Sequence, residues 1–453
     1  MGSKLIDEQQ SDIFDLQFAI VGAGIGGLAS ALALAKKGFK DIHVYENASN
    51  LGFMGAGIQL APNLTGLLGF SRGGGYRCAR DKYKRRMPTL YSDGATDTEL
   101  ALIPMPDIRK KYGYPHCTGH RASLVGGLYQ GCRKMPAIKF HFGCAVTAIT
   151  SFQPKVEFVV KTREGVEQRI IADTLLAADG VKSITRVALL NQINHASEVE
   201  DTGQAAYRVL LPREKMQDDP EMMALLDSNQ VTRWIGEKRH WIAYPIQSRT
   251  MYNMSSIQPD TNFASEPSMT YTTKGSKDTM LSVFADFCPL IQRMLDLVPD
   301  GQVCEWKLRV QKPLPTWVHG SVALVGDACH PTLPHLNQGA AQAVEDAAVL
   351  AEVLAKCPGS DLASLNKSLC VYELIRKERA STLVRWAAES GRILHLGPGK
   401  AKEERDRRFA NANAGGHHIP DKWASSDVQE YIYSHDCMQE AADQFCRLYQ
   451  SLS

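Results

Sequence analysis

Two apolar runs that break at glycine stand far apart in this chain. Residues 18–21 lead into the turn Gly22-Ala23-Gly24-Ile25-Gly26-Gly27, and residues 322–325 lead into Gly326-Asp327. The first turn is followed by helical spacing over residues 26–37 and by a further apolar strand over residues 42–45. A strand, a glycine turn, a helix and a second strand together predict a βαβ unit with parallel strands.

The pattern changes twice along the rest of the chain. Residues 136–187 alternate as paired strands do, and residues 205–257 contain short strands with candidate hairpin turns at 236–238 and 247–249. Helical spacing dominates from Gln338 onward, including residues 340–355 and 372–393. We therefore predict an α/β protein: a Rossmann-like nucleotide-binding domain with a parallel sheet, an inserted antiparallel-sheet substrate domain, and C-terminal helices. The predicted boundaries are 14–90, 113–190 and 301–360 for the first domain, 91–112 and 191–300 for the second, and 361–453 for the helices.

The first glycine turn has the spacing of a dinucleotide site. Gly22 permits the tight turn, Gly24 lets a pyrophosphate approach the backbone, and Gly27 allows the helix to pack closely on the strand. The helix that follows directs its positive N-terminal end at the phosphates. The second strand ends in Glu46, whose carboxylate is placed to accept hydrogen bonds from a ribose. This turn alone fits NAD and FAD equally well.

Composition and charge exclude several other classes of protein. The net charge of +2 over 453 residues gives no reason to expect binding to nucleic acid or to an anionic membrane. The eleven cysteines are scattered without a CxxC pair, which favours free thiols in a reducing compartment over disulfides, and we expect no metal site. No apolar run is long enough for a membrane span, and the polar first sixteen residues do not resemble a signal peptide. We expect a cytoplasmic protein.

Residues 72–86 are unusually basic. They hold seven Lys or Arg residues and three consecutive glycines, with few apolar positions. We interpret this segment as a solvated mobile loop, with a site for an anionic cofactor or substrate as the alternative.

The chain resembles the single-component FAD-dependent aromatic hydroxylases, the class of salicylate hydroxylase and para-hydroxybenzoate hydroxylase. The resemblance extends over residues 17–395 and rests on three fingerprints in order, namely the Gly22–Gly27 turn, Ala178-Asp179-Gly180-Val181-Lys182-Ser183-Ile184-Thr185-Arg186, and Gly326-Asp327-Ala328-Cys329-His330-Pro331. Supporting matches are residues 55–63, 120–124, 334–340 and 345–347. Residues 66–90 depart from the amphipathic helix that the family has there.

The resemblance implies non-covalent FAD. The cofactor-binding positions that it implies are Gly22, Gly24, Gly27, Glu46, Gly57, Arg121, Asp179, Gly326, Asp327, Pro334, Gly339 and Ala340. No second GxGxxG occurs, so NADH or NADPH is expected as a transient co-substrate. The family's chemistry is a flavin C4a-hydroperoxide, formed with O2, which hydroxylates a phenolic or hydroxybenzoate-type aromatic, with or without decarboxylation.

Candidate substrate-side residues lie on the second domain and beside the turn that continues the third fingerprint, residues 334–339, which we call the flavin turn. Tyr207 and Arg208 sit on its first strand, and Tyr244 ends another strand before a proline. His330 precedes the flavin turn and His335 lies within it, and either could relay a proton near neutral pH. For His330, packing beside the cofactor is the favoured interpretation.

Two other functions stay open. One is an epoxidase or hydroxylase that tailors an indole, polyketide or terpenoid natural product. The other is a non-catalytic flavin-binding redox sensor that signals through the C-terminal helices. The expected partners are a small aromatic substrate and O2, and the chain is a monomer or a homodimer.

Overall fold

The structure, a computed structural model, describes residues 12–51, 57–69, 88–261, 272–413 and 419–452. Its strands in chain order are β1 (Gln17–Val21), β2 (Asp41–Glu46), β3 (Gly57–Leu60), β4 (Thr89–Asp93), β5 (Glu99–Ile103), β6 (Cys117–His120), β7 (Ile138–Phe142), β8 (Cys144–Ser151), β9 (Val156–Thr162), β10 (Glu167–Ala172), β11 (Thr174–Ala177), β12 (Val199–Pro212), β13 (Val231–Gly236), β14 (Arg239–Ile246), β15 (Met251–Pro259), β16 (Thr272–Lys274), β17 (Cys304–Gln311), β18 (Val318–His319) and β19 (Val322–Leu324).

The helices in the same ranges are α1 (Ile25–Lys37), α2 (Pro62–Leu67), α3 (Ile108–Tyr112), α4 (Arg121–Arg133), α5 (Ile184–Gln192), α6 (Arg213–Met216), α7 (Pro220–Asp227), α8 (Lys277–Val283), α9 (Pro289–Asp296), α10 (Gly339–Ala355), α11 (Leu362–Leu394), α12 (Lys400–Asn413), α13 (Ser426–Tyr433) and α14 (Cys437–Ser451). Short 3-10 turns occupy Gly326–Ala328 and Pro334–Leu336. None of these helices is both long and apolar enough to cross a lipid bilayer.

A six-stranded sheet in the order β18-β19-β11-β1-β2-β7 positions the glycine motifs. The strands from β19 to β7 are parallel, and β18 pairs antiparallel with β19. After Gln17, β1 is apolar and buried, as expected of a parallel strand that is covered on both faces. Parallel strands bring their carboxyl ends to one edge, so Gly22, Asp179 and Gly326 meet there.

An eight-stranded sheet in the order β16-β17-β12-β15-β14-β13-β4-β5 forms the second layer. It is antiparallel except where β13 pairs parallel with β4. The predicted hairpin turns are present, the first at Lys238 (φ 58°) between β13 and β14 and the second at 247–249 between β14 and β15. β17 pairs with β12 and extends this sheet to Gln311, past residue 300 where the predicted second domain ends, and the domain boundaries themselves stay a prediction.

The eight-stranded sheet is covered on both faces. One face packs on α8 and α9 through a core that includes Tyr207, Trp241 and Phe284. The other face packs on the C-terminal helices through a core that includes Tyr244 and Trp423, together with Leu336 of the 334–336 turn. Neighbouring residues of a strand point to opposite faces, so this division decides which side chains can reach the first sheet's edge.

Two small sheets complete the described fold. β8, β9 and β10 form an antiparallel unit, as the alternation over 136–187 predicts, and β3 pairs with β6. The basic segment 72–86 and the start of the 55–63 match lie outside the described residues.

A buried ionic network fixes α10 against α11. Every residue of α10 from Ala341 to Leu354 is buried, including three acids, of which Glu345 and Asp346 face α11. Glu345 Oε2 lies 2.7 Å from Arg376 and 2.8 Å from Arg379, and Asp346 Oδ1 lies 2.9 Å from Arg376 Nε. Burial alone raises the pKa of both acids, but the cations facing them lower it more, so both carboxylates stay charged.

We expect Asp346→Ala to lower the free energy of unfolding by about 3–5 kcal/mol, because it removes the carboxylate of the buried His330 and one of the two carboxylates of the buried Arg376. Asp361→Ala is the matched control: Asp361 caps α11 in solvent, where loss of a cap costs about 1 kcal/mol. Since the folded-state pKa of Asp346 is lowered, its contribution is present above the unfolded pKa of about 3.9 and falls away in more acidic solution. Urea titrations at pH 7 and pH 3.5 measure both effects, and equal losses in the two variants at pH 7 would contradict the role given to Asp346.

Candidate functional site

The three motif glycines of the β1–α1 turn have different surroundings. Gly22 has φ 94°, and a Cβ there would lie 2.5 Å from the Ala178 carbonyl oxygen. A Cβ at Gly27 would lie 1.9 Å from the Gly22 oxygen, so this glycine serves close packing of α1 on the turn. A Cβ at Gly24 would meet nothing within 4 Å. The turn is therefore closed on the protein side and open at Gly24, as a pyrophosphate site requires.

Glu46 is held against this turn at the end of β2. Its two carboxylate oxygens each accept one backbone N–H at 2.8 Å, from Ala23 and from Ala48. A carboxylate oxygen accepts more than one hydrogen bond, so Glu46 keeps acceptor capacity for ribose hydroxyls.

Asp179, after β11, carries an unused acceptor. Its Oδ2 accepts the Thr185 N–H at 3.2 Å, while its Oδ1 is buried without a partner among the described residues. Burial raises the pKa of this carboxyl although Ser183 and Thr185 bond to it. An orphaned buried oxygen at the edge that holds Gly22 fits a ligand that donates hydrogen bonds there.

Arg186 joins the second motif to the third, which the sequence did not reveal. Its fully buried guanidinium donates to the Val181 carbonyl at 2.7 Å and to the Ala328 carbonyl at 3.0 Å. The bond to Ala328 crosses between the two motifs, so Arg186 holds the loops after β11 and β19 in register.

The Gly326–Ala328 turn presents Asp327 and is held from behind by Asp346. Gly326 has φ 62°, and its N–H donates to Asp346 Oδ2 at 2.9 Å. The Asp327 side chain is exposed to solvent. The protein atoms packed around the turn nevertheless displace water from its carboxyl group, and this desolvation raises the pKa of that group. His330 and Arg121 lower that pKa in part, so Arg121 at the start of α4 faces the same turn.

The N-terminus of α10 follows the Pro334–Leu336 turn. No side chain caps the helix, and a Cβ at Gly339 would lie 3.5 Å from Thr332. The first-turn amides of Gly339 and Ala340 are therefore available, at the positive end of the helix dipole. Gln338 next to them accepts from Asn63 at 3.0 Å, which ties α2 to this end of α10.

Gly57 is placed by the second sheet. Its N–H donates to Asn253 Oδ1 of β15 at 2.6 Å, and a Cβ there would lie 2.6 Å from the Asn253 side chain. The glycine thus allows β3 to approach β15 closely. Its cofactor contact stays a prediction.

Of the two neighbouring residues on β12, only Arg208 faces the site. Tyr207 is fully buried in the core with Phe284, on the face that packs against α8 and α9. This placement corrects the prediction that Tyr207 faces the flavin or the substrate. Arg208 points the other way because strand residues alternate, and its guanidinium lies 5.0 Å from the Trp306 ring centroid.

Arg208 is a half-buried cation without a carboxylate partner in the described ranges. Burial lowers its pKa first and the neighbouring Arg121 lowers it further, while Tyr244 raises it. Neither arginine makes an ion pair with a described residue. Arg121 is close enough to Asp327 for the two charges to interact. Arg208 and its neighbour Arg121 therefore form a local positive potential suited to an anionic group.

The two candidate histidines differ. His330 Nε2 lies 2.6 Å from Asp346 Oδ2, and although burial lowers its pKa, Cys329 and Asp346 raise it well above its usual value. His330 is therefore a buried cation paired with Asp346, which supports packing rather than proton relay. His335 is also buried, and neither of its ring nitrogens has a partner among the described residues.

One group of three side chains in the described ranges has metal-ligand spacing, namely Cys329, His330 and Asp346. Arg376 lies 2.9 Å from Asp346 and makes this buried cluster a poor cation site.

Comparisons with known proteins agree with this geometry. Residues 15–387 match the family described as FAD binding domain. The 3-hydroxybenzoate 6-hydroxylase 1 of Aquipseudomonas alcaligenes is 33% identical over 82% of this chain and 88% of its own length. An FAD-dependent monooxygenase of Beauveria bassiana is 30% identical over 94% of this chain and 96% of its own. The structure of a salicylate hydroxylase substrate complex shares the fold with TM-score 0.72 at 24% identity, over 97% of this chain and 98% of its own.

The predicted family, fold class and FAD cofactor are thereby confirmed, whereas the individual cofactor contacts stay predictions. The residues fit the cofactor at Gly24, at the orphaned oxygen of Asp179 and at the uncapped start of α10. This chain belongs to the FAD binding domain family and is an NAD(P)H-dependent flavoprotein monooxygenase of the single-component aromatic hydroxylase class.

Proposed function

We propose that this enzyme hydroxylates a phenolic or hydroxybenzoate-type aromatic that carries a negative charge, and that Arg208 anchors it. The observation that carries this proposal is the pair Arg208 and Arg121, two cations in mutual repulsion with no carboxylate on Arg208. A substrate carboxylate or phenolate would relieve that repulsion. The 3-hydroxybenzoate named for one relative is such an anion, which supports the class without identifying the compound.

FAD would lie along the edge where β1, β2, β11 and β19 end. The turn glycines Gly22, Gly24 and Gly27 would receive its pyrophosphate, and Glu46 its adenosine ribose. The residues proposed for the remainder of the cofactor are Arg121, Asp179, Gly326, Asp327, Pro334, Gly339 and Ala340. When bound, FAD supplies the redox chemistry, with NADH or NADPH as reductant and O2 as oxidant.

The chain's own residues orient and enclose the reactants. The start of α10 offers backbone N–H groups and a positive dipole end to the part of the cofactor that gains negative charge on reduction. Tyr244 is buried beside Arg208, and burial raises the pKa of its hydroxyl, so it stays protonated and can donate a hydrogen bond to the substrate. Packing of the C-terminal helices over the same sheet face excludes water.

A second candidate is the tailoring of a larger natural product by hydroxylation or epoxidation. It is favoured by one observation: the Beauveria bassiana monooxygenase matches 94% of this chain, against 82% for the 3-hydroxybenzoate hydroxylase. The added coverage shows that the likeness to the fungal enzyme spans nearly the whole chain.

A cytoplasmic location and a monomeric or dimeric state are part of the proposal. The location is supported by the ten described cysteines, all with free thiols.

Gly24→Val should leave a folded protein without FAD. The position has open space and φ −72°, so valine is tolerated by the chain but occupies the place of the pyrophosphate. Absorbance at 450 nm measures the bound flavin and circular dichroism the fold. Full FAD occupancy in the folded variant would contradict the assignment.

Arg208→Met should raise KM for an aromatic carboxylate at least tenfold and leave KM for a neutral phenol nearly unchanged. A charge-assisted hydrogen bond contributes about 1.5–3 kcal/mol, and about 1.4 kcal/mol corresponds to tenfold. Arg213→Met, which removes an exposed cation paired with Asp227 beyond the end of β12, is the control. Equal effects on both substrates, or an effect of the control, would refute an anionic anchor at Arg208.

The reaction itself is tested with 18O2 and a panel of phenols, hydroxybenzoates and indoles. A substrate should stimulate NAD(P)H oxidation, because closure around it is coupled to flavin reduction. One labelled oxygen should appear in the aromatic product and the other in water. If label enters only hydrogen peroxide across the panel, the hydroxylation is refuted, and a preference for indoles over benzoates supports the second candidate.

A further inference from the structure

Three histidines from distant parts of the chain meet behind the Pro334–Leu336 turn. His240 lies on β14, His335 lies in the turn, and His395 directly follows α11. The ring centroids are 5.0 Å apart for His240 and His395, 5.5 Å for His240 and His335, and 5.7 Å for His335 and His395. His240 Nδ1 lies 2.7 Å from His395 Nε2, so one of these nitrogens donates a hydrogen bond to the other.

The cluster connects the buried turn with the surface. His335 and His240 are almost fully buried, and His395 is only half-buried. α11 accommodates the His335 ring through Gly391, where a Cβ would lie 2.5 Å from His335 Nε2. Neither nitrogen of His335 has a hydrogen-bond partner in the described ranges, so no hydrogen bond has to break when the ring turns toward a neighbour.

The charged groups around the cluster keep it neutral. Arg233 of β13 donates to the His335 carbonyl at 3.5 Å and is neutralised by Asp421 at 2.7 Å, and Tyr91 of β4 also donates to Asp421. Arg405 of α12 faces His395 and pairs with Asp406. Burial is the main reason why the pKa of each of the three histidines is lowered, and the positive charge of Arg233 lowers it further. The pKa of His395 falls to about 4.

We propose that His395, His240 and His335 form a proton relay that carries protons from solvent to the flavin turn. The inference extends the proposed function, whose overall reaction is substrate-H + NAD(P)H + H⁺ + O2 → substrate-OH + NAD(P)⁺ + H2O. The reaction consumes one proton from solvent while the site is enclosed. A neutral imidazole suits this transfer, because it accepts a proton at one nitrogen and releases one from the other.

The path has two steps within the described residues. His395 takes a proton from solvent and passes one to His240 through their hydrogen bond. Rotation of His335 then brings a nitrogen to His240 and returns the proton to the turn that precedes α10. An O–H bond of solvent breaks as an N–H bond forms on His395, and each further transfer breaks one N–H bond and forms the next. His335 releases its proton to the oxygen that the proposed reaction reduces, and no electrons move within the relay.

The test uses the holoenzyme without an aromatic, so that it does not depend on the substrate. Reduced flavin also consumes one proton when O2 oxidises it, in FADH⁻ + O2 + H⁺ → FAD + H2O2. The flavin is photoreduced without oxygen, mixed with O2 in a stopped-flow instrument between pH 6 and pH 9, and followed in H2O and in D2O.

His335→Gln and His395→Gln should slow reoxidation about tenfold or more at pH 8.5 and much less at pH 6, where solvent supplies protons directly. Positioned acid–base groups contribute about 10²–10⁴-fold, so a tenfold loss is a conservative expectation. Added imidazole should restore the rate of His395→Ala, whose site is half-buried. His43→Gln is the matched control, because His43 also hydrogen-bonds a histidine (His141, 2.9 Å) but lies on β2 away from the turn.

A readout without turnover is nitrogen NMR of histidine-labelled oxidised enzyme, in which His395→Gln should change the tautomer of His240. If His240→Gln does not fold, His395→Gln at the end of α11 still tests the relay. Unchanged pH profiles and solvent isotope effects in both the His335 and His395 variants would overturn it. Failure of the 18O2 experiment in the unmodified enzyme, with these effects present, would instead refute only the proposed function.

Discussion

The carboxylate of Asp346 is the contact on which the site depends most. It accepts the Gly326 N–H, pairs with His330 and pairs with Arg376. Removing a charge from water is costly, so a buried carboxylate is tolerated only when such partners surround it. Asp346 lies on α10, and its partners come from the turn after β19 and from α11. Because both oxygens of its carboxylate need these partners, α10 and the turn are held in fixed positions relative to each other. This contact therefore determines where Asp327 lies and in which direction the N-terminus of α10 points.

The same principle operates across the sheet edge. Arg186 binds the carbonyls of Val181 and Ala328, so a buried cation holds the second and third motifs together from the other side. Asp179 Oδ1 and the first amides of α10 are among the groups left without partners in the described ranges, and both lie where the cofactor is proposed to bind.

Much of this could be predicted from the sequence, because the signals are local. A glycine turn, the βαβ unit and the helix after Gln338 involve residues that are close in the chain, and the structure places them as predicted. What could not be predicted depends on distant pairing. Glu345 and Asp346 of α10 reveal their partners only once α11 lies against them, and the extent of the eight-stranded sheet depends on the pairing of β17 with β12. Alternation shows that Tyr207 and Arg208 face opposite sides, but not which of them faces the site.

That last choice is made by strand register. Arg208 pairs with Ser255, Ser255 with Ile242, Ile242 with Arg233, and Arg233 with Tyr91. These five residues form one row across the sheet, on the face that packs against the C-terminal helices. A slip of one residue in β12 would place Tyr207 in this row and bury Arg208 against the helices on the other face. Burying an unpaired cation there is unfavourable, and losing Tyr207 from its core would add to the cost. The requirement to keep Arg208 out of that core therefore helps to set the register of the sheet, so the residue proposed to bind substrate also contributes to the fold that positions it.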